Sequence, residues 1–138
     1  MSLVLDSSVT LAWVYVEQTG PEVDRVLQLV TSTGAWVPCL WRLEVANILE
    51  MGVRRGRHDM AFRDATLADL ALLPISIDQD TEAHAWGATL RLAEQHRLTV
   101  YDAAYLELAK RRGLALATLD AELRSAAKAE QVALLGAS

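Results

Sequence analysis

The stretch Ser2-Leu3-Val4-Leu5-Asp6-Ser7-Ser8 decides how the rest of the chain is read. Three consecutive aliphatic residues leave no alternation between a buried and a solvated face, so Ser2 to Leu5 reads as a strand covered on both sides, the kind found centrally in parallel sheets. Asp6 falls where that strand ends. In open α/β sheets, ligands collect outside the carboxyl ends of strands, where neighbouring connections part to opposite faces. An acid at that place becomes informative when other acids converge on it.

Working outward, Ser8 to Val16 reads as a short apolar helix capped by the polar residues before it, and Gly20-Pro21 breaks the chain. Val23, Val26, Leu27 and Val30 then follow helical spacing, with Gly34 as the stop. Ala35-Trp36-Val37 is a short strand. Trp41, Val45, Ile48, Leu49 and Gly52 form the next helical stripe, which puts Glu44 and Asn47 three apart on its flank. A weaker helical pattern from Asp59 to Leu72 precedes Pro74 and the strand Ile75-Ser76-Ile77. Asp80 to Gln95 reads as one helix through Ala83, Trp86, Gly87 and Leu90, and Tyr101, Ala104, Tyr105 and Leu108 mark another that ends at Gly113. Leu114 to Ala117 is a strand, Asp120 to Lys128 a short helix, and Val132 to Leu135 a last strand. Strands alternating with helices imply parallel pairing through right-handed crossovers, hence a three-layer α/β/α domain with a parallel sheet of about five strands.

With 138 residues, residues 1–138 are expected to form a single domain, large enough to bury roughly two thirds of the surface exposed by its unfolded form. The three prolines and seven glycines are scattered and mark no linker. Cys39 is the single cysteine, and no Cys/His ligand spacing surrounds His58, His84 or His96, so a disulfide and a structural zinc site are both disfavoured. No basic segment precedes the first apolar run, and no stretch approaches the roughly 20 apolar residues that span a bilayer. A cytoplasmic protein without a membrane partner is expected. A net charge of −5 argues against a protein that coats nucleic acid by neutralising phosphates. The cations are nearly all arginine, the better fork for phosphate, and several cluster at Arg54, Arg55, Arg57 and Arg63, with Arg91, Arg97, Arg111 and Arg112 beyond.

The acids carry the chemistry. Asp6 follows strand one, Glu44 lies on the helix after strand two, Asp102 opens a helix and Asp120 follows strand four. Each has a plain structural explanation: Asp6 and Asp120 as helix caps, Asp102 in a capping box with Thr99, Glu44 as an exposed helix residue. Together they say more, because the element order sets all of them near one rim of the sheet. Carboxylates about 4 Å apart repel by about 1 kcal/mol per pair in water, and by several times that at protein-like dielectric, so such a cluster needs protons or cations. All-oxygen ligands select Mg²⁺ or Mn²⁺ over zinc. Ser8, Asn47 and Thr118 are ordinary capping and packing residues on one reading, and on the other a supporting set that orients the carboxylates. Tyr101, Tyr105, Cys39 and the tryptophans read as packing residues, with Trp13 or Trp41, if exposed, open to a partner groove.

Leu5-Asp6-Ser7-Ser8, Glu44-Val45-Ala46-Asn47-Ile48-Leu49, Tyr101-Asp102-Ala103-Ala104-Tyr105-Leu106 and Thr118-Leu119-Asp120 together resemble, in order and spacing, the motifs of PIN-domain proteins, especially the VapC toxins of toxin–antitoxin pairs. The resemblance covers the whole chain. It implies a sheet ordered 3-2-1-4-5, Mg²⁺- or Mn²⁺-dependent endoribonuclease activity, and inhibition by a small VapB-like antitoxin. Asp6, Glu44, Asp102 and Asp120 then match the metal-binding catalytic quartet, with Ser8, Asn47 and Thr118 as supporting residues. In that frame a metal-activated water hydrolyses an RNA phosphodiester, leaving a 3′-hydroxyl and a 5′-phosphate. Asp6 bridges, Asp102 and Asp120 serve one metal, and Glu44 lies on the other side. The resemblance further implies a homodimer that meets DNA only through the antitoxin.

Other α/β readings fit less well. A receiver domain needs a lysine after a late strand, but Lys110 and Lys128 both lie in helical segments; a dehalogenase-type phosphotransferase needs a second Asp where Ser8 stands. No G-x-G-x-x-G or Walker loop occurs. The competing reading from another class is a non-enzymatic, antitoxin-binding module that takes part in DNA-bound autoregulation, its acidic pocket receiving an arginine of the partner.

Overall fold

The structure is a computed structural model that describes residues 2–137. β1 (Leu3–Leu5) is buried along its whole length and pairs in parallel with β2 (Ala35–Val37) on one side and β4 (Ala115–Ala117) on the other. β3 (Ile75–Ile77) and β5 (Leu134–Leu135) are the less buried edges, which completes a five-stranded parallel sheet of order 3-2-1-4-5. The aliphatic run before Asp6 therefore occupies the central strand, as its lack of alternation predicts.

Helices α1 (Ser7–Val14), α2 (Pro21–Thr33), α3 (Trp41–Arg54) and α4 (Met60–Ala71) fill the connections that step from β1 to β3. α5 (Thr81–His84), α6 (Leu90–His96), α7 (Val100–Arg112) and α8 (Ala121–Ala129) fill those that return to β4 and β5. Right-handed crossovers in opposite directions place these two groups on opposite faces of the sheet. The packing agrees: α1 touches α2 and α3, whereas α7 touches α6, α8, β1 and β4. Val23, Val26 and Val30 seal the inner side of α2, and Gly34 ends it with φ +79°, where its missing Cβ also keeps the Pro74 carbonyl clear. The weaker pattern over α4 has its counterpart in burial, since none of its residues is fully buried.

Four expectations change. Asp80 to Gln95 is not one helix: α5 and α6 are separated by a π-turn over Ala85–Thr89, with Gly87 outside helical φ/ψ (−114°, −107°). The apolar stripe continues through this region, so the sequence period masks the break, while Gly supplies the local freedom for it. The break leaves Trp86 94% exposed rather than packed. Tyr101, also read as a packing residue, is exposed, whereas Trp41 is buried as its packing reading expects and donates from Nε1 to Thr10 Oγ1 at 3.1 Å. Finally, Cys39 is exposed. Among the described residues no helix is long and apolar enough to cross a membrane.

Candidate functional site

β1 and β4 are neighbours whose following connections leave on opposite faces, so the crevice above their carboxyl ends is the topological switch point of the sheet. Asp6 closes β1 there, its backbone N–H donating to Ala117 O at 3.0 Å. Its side chain does not cap α1. Instead Oδ2 accepts two hydroxyls, Ser8 Oγ at 2.7 Å and Thr118 Oγ1 at 2.8 Å. Each hydroxyl in turn accepts an amide of the loop after β4, Ser8 from Leu119 at 2.9 Å and Thr118 from Asp120 at 3.1 Å. A hydroxyl has one proton and two lone pairs, so the amides fix its direction: the protons are committed to Asp6. The loops after β1 and β4 are thereby stapled together around one buried carboxylate.

The other acids arrive on helix starts. Asp120 sits at the N-cap of α8 and accepts Leu123 N–H at 2.8 Å through Oδ2, so the capping explanation holds for it and still leaves Oδ1. Thr99 caps α7 by accepting Asp102 N–H at 3.1 Å, which seats Asp102 in the first turn. Glu44 lies in the first turn of α3, and its Oε1 accepts the hydroxyl of Tyr105, a fully buried residue of α7.

Burial, opposed by the hydroxyls of Ser8 and Thr118, pushes the Asp6 carboxyl above the ordinary range. Glu44 is also raised, first by burial, against the Tyr105 hydrogen bond, and then by the charges of Asp6 and Asp102. Asp102 is raised by burial and by the charges of Asp6 and Asp120. Four carboxylates from separate parts of the chain thus share one field. Their hydrogen-bond donors are hydroxyls and amides, with no cationic side chain among those described.

That donor set suits a hard divalent ion: only oxygen, no thiolate or imidazole, and surplus negative charge in a crevice. As the side chains stand, no three acidic, histidine or cysteine residues among those described converge closely enough to enclose an ion.

Of the supporting residues, Ser8 and Thr118 hydrogen-bond to Asp6, whereas Asn47 is exposed on α3 and lines a surface pocket with Tyr15, Met51 and Arg55. Sequence reading missed Tyr105 as a member. The available signal was its position three residues after Asp102, hence on the same side of α7. It also missed Asp78, which ends β3 as Asp6 ends β1, but which is held elsewhere by Arg111 and Arg112.

With this geometry in place, comparison with known proteins is direct. The profile of the PIN domain matches residues 3–129. Ribonuclease VapC3 of Pyrobaculum aerophilum is 33% identical over 125 residues, spanning 89% of this chain and 92% of the relative. Among solved structures, PAE2754 from Pyrobaculum aerophilum superposes with TM-score 0.70 at 25% identity, covering 97% of this chain and 83% of that one. FitAcB from Neisseria gonorrhoeae gives 0.66 at 18% identity, with 97% and 96% covered. VapBC2 from Rickettsia felis, bound to a DNA fragment from their promoter, gives 0.64 at 12%, with 97% of each chain covered. These last two likenesses show the fold alone. Sheet order, profile match and kinship agree: the chain belongs to the PIN domain family and, within it, to the VapC-type proteins.

Proposed function

We propose that this protein is the toxin of a type II toxin–antitoxin pair, a Mg²⁺- or Mn²⁺-dependent endoribonuclease. The observation that carries the reading is Asp6, a buried carboxylate clamped by two hydroxyls and raised by burial, whose charge reaches Glu44 and Asp102 while that of Asp120 reaches Asp102. The kinship with ribonuclease VapC3 supports RNA as the substrate. Asp6, Glu44, Asp102 and Asp120 would hold the ion, which when bound supplies Lewis acidity and an activated water. Ser8 and Thr118 keep Asp6 in one orientation, so no reorganisation is needed when substrate arrives. Burial of Asp6 among Val4, Leu5 and Val9 lowers the local dielectric and strengthens each charge interaction at the phosphate.

The partner in this reading is a VapB-like antitoxin. An apolar groove of about 290 Å³ between α3, α4 and β3, lined by Trp41, Val45, Leu67, Leu70 and Ile77, suits one face of an amphipathic segment. The protein acts in the cytoplasm as a single domain that pairs as a homodimer and reaches promoter DNA only through its partner.

The test is cleavage of a defined RNA in Mg²⁺, Mn²⁺ or EDTA, by wild type and Asp6→Asn. Cleavage that needs the metal, leaves 5′-phosphate ends and falls at least about a hundredfold in the variant supports the enzyme. Unchanged toxicity in cells with Asp6→Asn supports instead the non-enzymatic antitoxin-binding module.

A further inference from the structure

We propose that Tyr105 is a positioning residue, whose buried hydroxyl fixes Glu44 relative to Asp102 and so sets the affinity of the acidic crevice for a divalent cation. The inference rests on the reading of the crevice as a metal site. Tyr105 is fully buried and among the largest side chains that are. Phenylalanine would fill the same space without needing an acceptor, so the hydroxyl has to be explained separately from the packing. Its acceptor is Glu44 Oε1, 61 residues away on a helix that covers the opposite face of the sheet. Glu44 is only partly buried and could be satisfied by water.

The location of the donor supplies the function. Asp102 and Tyr105 are three residues apart on α7, so one turn of rigid helix carries both a carboxylate of the crevice and the donor to another carboxylate of the crevice. The bond spans the crevice from α7 to α3. It acts against the charges of Asp6 and Asp102, which repel the Glu44 carboxylate. It also uses one lone pair of Oε1 and leaves Oε2 without a hydrogen bond from that tyrosine, so Glu44 would still have oxygen to offer a cation. Without it Glu44 would be free to swing toward solvent, and an ion would have to organise the side chain on binding.

The measurement is Mn²⁺ affinity in the absence of RNA, by electron paramagnetic resonance and calorimetry, for wild type, Tyr105→Phe, Glu44→Gln and the double variant. Tyr105→Phe is expected to weaken Mn²⁺ about tenfold, the loss typical when a group that orients a ligand is removed. In the Glu44→Gln background the same change is expected to have no further effect. A Tyr105→Phe affinity within twofold of wild type overturns the proposal, and so does a tenfold loss that persists beside Glu44→Gln. A second measurement needs no change at position 105: the ring-carbon NMR resonance of Tyr105 should move on Mg²⁺ addition in wild type and stay still in Glu44→Gln, and a resonance that ignores Mg²⁺ also overturns it. Asp6→Asn separates the two levels. If wild type binds no Mn²⁺, or binds it as Asp6→Asn does, the metal site itself fails; if only Asp6→Asn loses Mn²⁺, the role of Tyr105 fails alone.

Discussion

Two groups of buried and partly buried carboxylates lie at either end of α7, and they are solved in opposite ways. Near its C-terminus, Asp78 is fully buried and meets a bidentate guanidinium, Arg111 at 3.1 and 2.7 Å, with Arg112 at 3.1 Å and Thr81 Oγ1 at 2.9 Å. Arg111 also holds the buried Glu107 at 2.7 and 3.0 Å, while the Arg112 guanidinium lies 3.6 Å from the centre of the Trp36 ring. Burial pushes Asp78 upward, but hydrogen bonds from Arg111, Arg112 and Thr81 outweigh it and hold the carboxyl well below the ordinary range. Near the N-terminus of α7, Asp6, Glu44 and Asp102 have only hydroxyl and amide donors, and all are raised. The difference teaches what each cluster is for. A carboxylate compensated by fixed arginines is complete as a structural tie, whereas one left to hydroxyls carries a charge that no side chain beside it offsets.

The comparison breaks most visibly at Asp78. Asp78→Ala leaves two guanidinium groups short of their partner and should lower unfolding free energy in urea by about 3 to 5 kcal/mol, while cleavage per folded molecule stays unchanged. A loss below about 1 kcal/mol would deny the arginine cluster its structural role.

Acidification reads both clusters with opposite sign. Asp78 has a depressed pKa, so its stabilisation is complete above the ordinary carboxylate value of about 4 and is lost as pH falls toward its folded value. Asp6, Glu44 and Asp102 have raised values, so in EDTA the stability they favour is complete below about pH 4 and is lost as pH rises through their folded values. Asp102→Asn should therefore raise the melting temperature in EDTA at neutral pH, and this gain should vanish below about pH 4. A neutral-pH melting temperature that falls instead would show that the crevice does not carry surplus charge.

A smaller effect sharpens the account of the staple. Thr118→Val removes one donor to Asp6 and one acceptor of Asp120 N–H, and should destabilise by about 1 to 2 kcal/mol while lowering cleavage further than stability alone explains. Equal loss in Asp6→Asn and in the double variant would tie that effect to Asp6.

Much of this contrast was legible in the chain and some was not. The central strand and the place of Asp6 follow from three adjacent aliphatics and a parallel sheet, both local consequences of pattern. That Asp6, Asp102 and Asp120 lie near one rim of the sheet, close enough for Asp6 and Asp120 to raise Asp102, follows from element order. Asp78 has the same strand-end signature as Asp6, and nothing near it in sequence distinguishes them; its arginines come 33 and 34 residues later, from the far end of another helix. Asn47 shows the converse, since spacing from Glu44 places it on α3 without saying which way the helix is rotated, and it emerges exposed. The break at Ala85–Thr89 was hidden because Ala83, Trp86, Gly87 and Leu90 keep helical spacing in the sequence, although Ala83, Trp86 and Leu90 emerge exposed.

The most direct measurement of the contrast is the melting temperature of wild type and Asp6→Asn as Mn²⁺ is added to EDTA-stripped protein. A ligand that binds only the folded state at a hundred times its dissociation constant adds about 2.7 kcal/mol, so wild type should rise by at least about 5 °C and Asp6→Asn should stay nearly flat. Equal shifts in the two proteins, or none in wild type, would contradict the claim that the carboxylates at the end of β1 are kept short of positive charge in order to bind it.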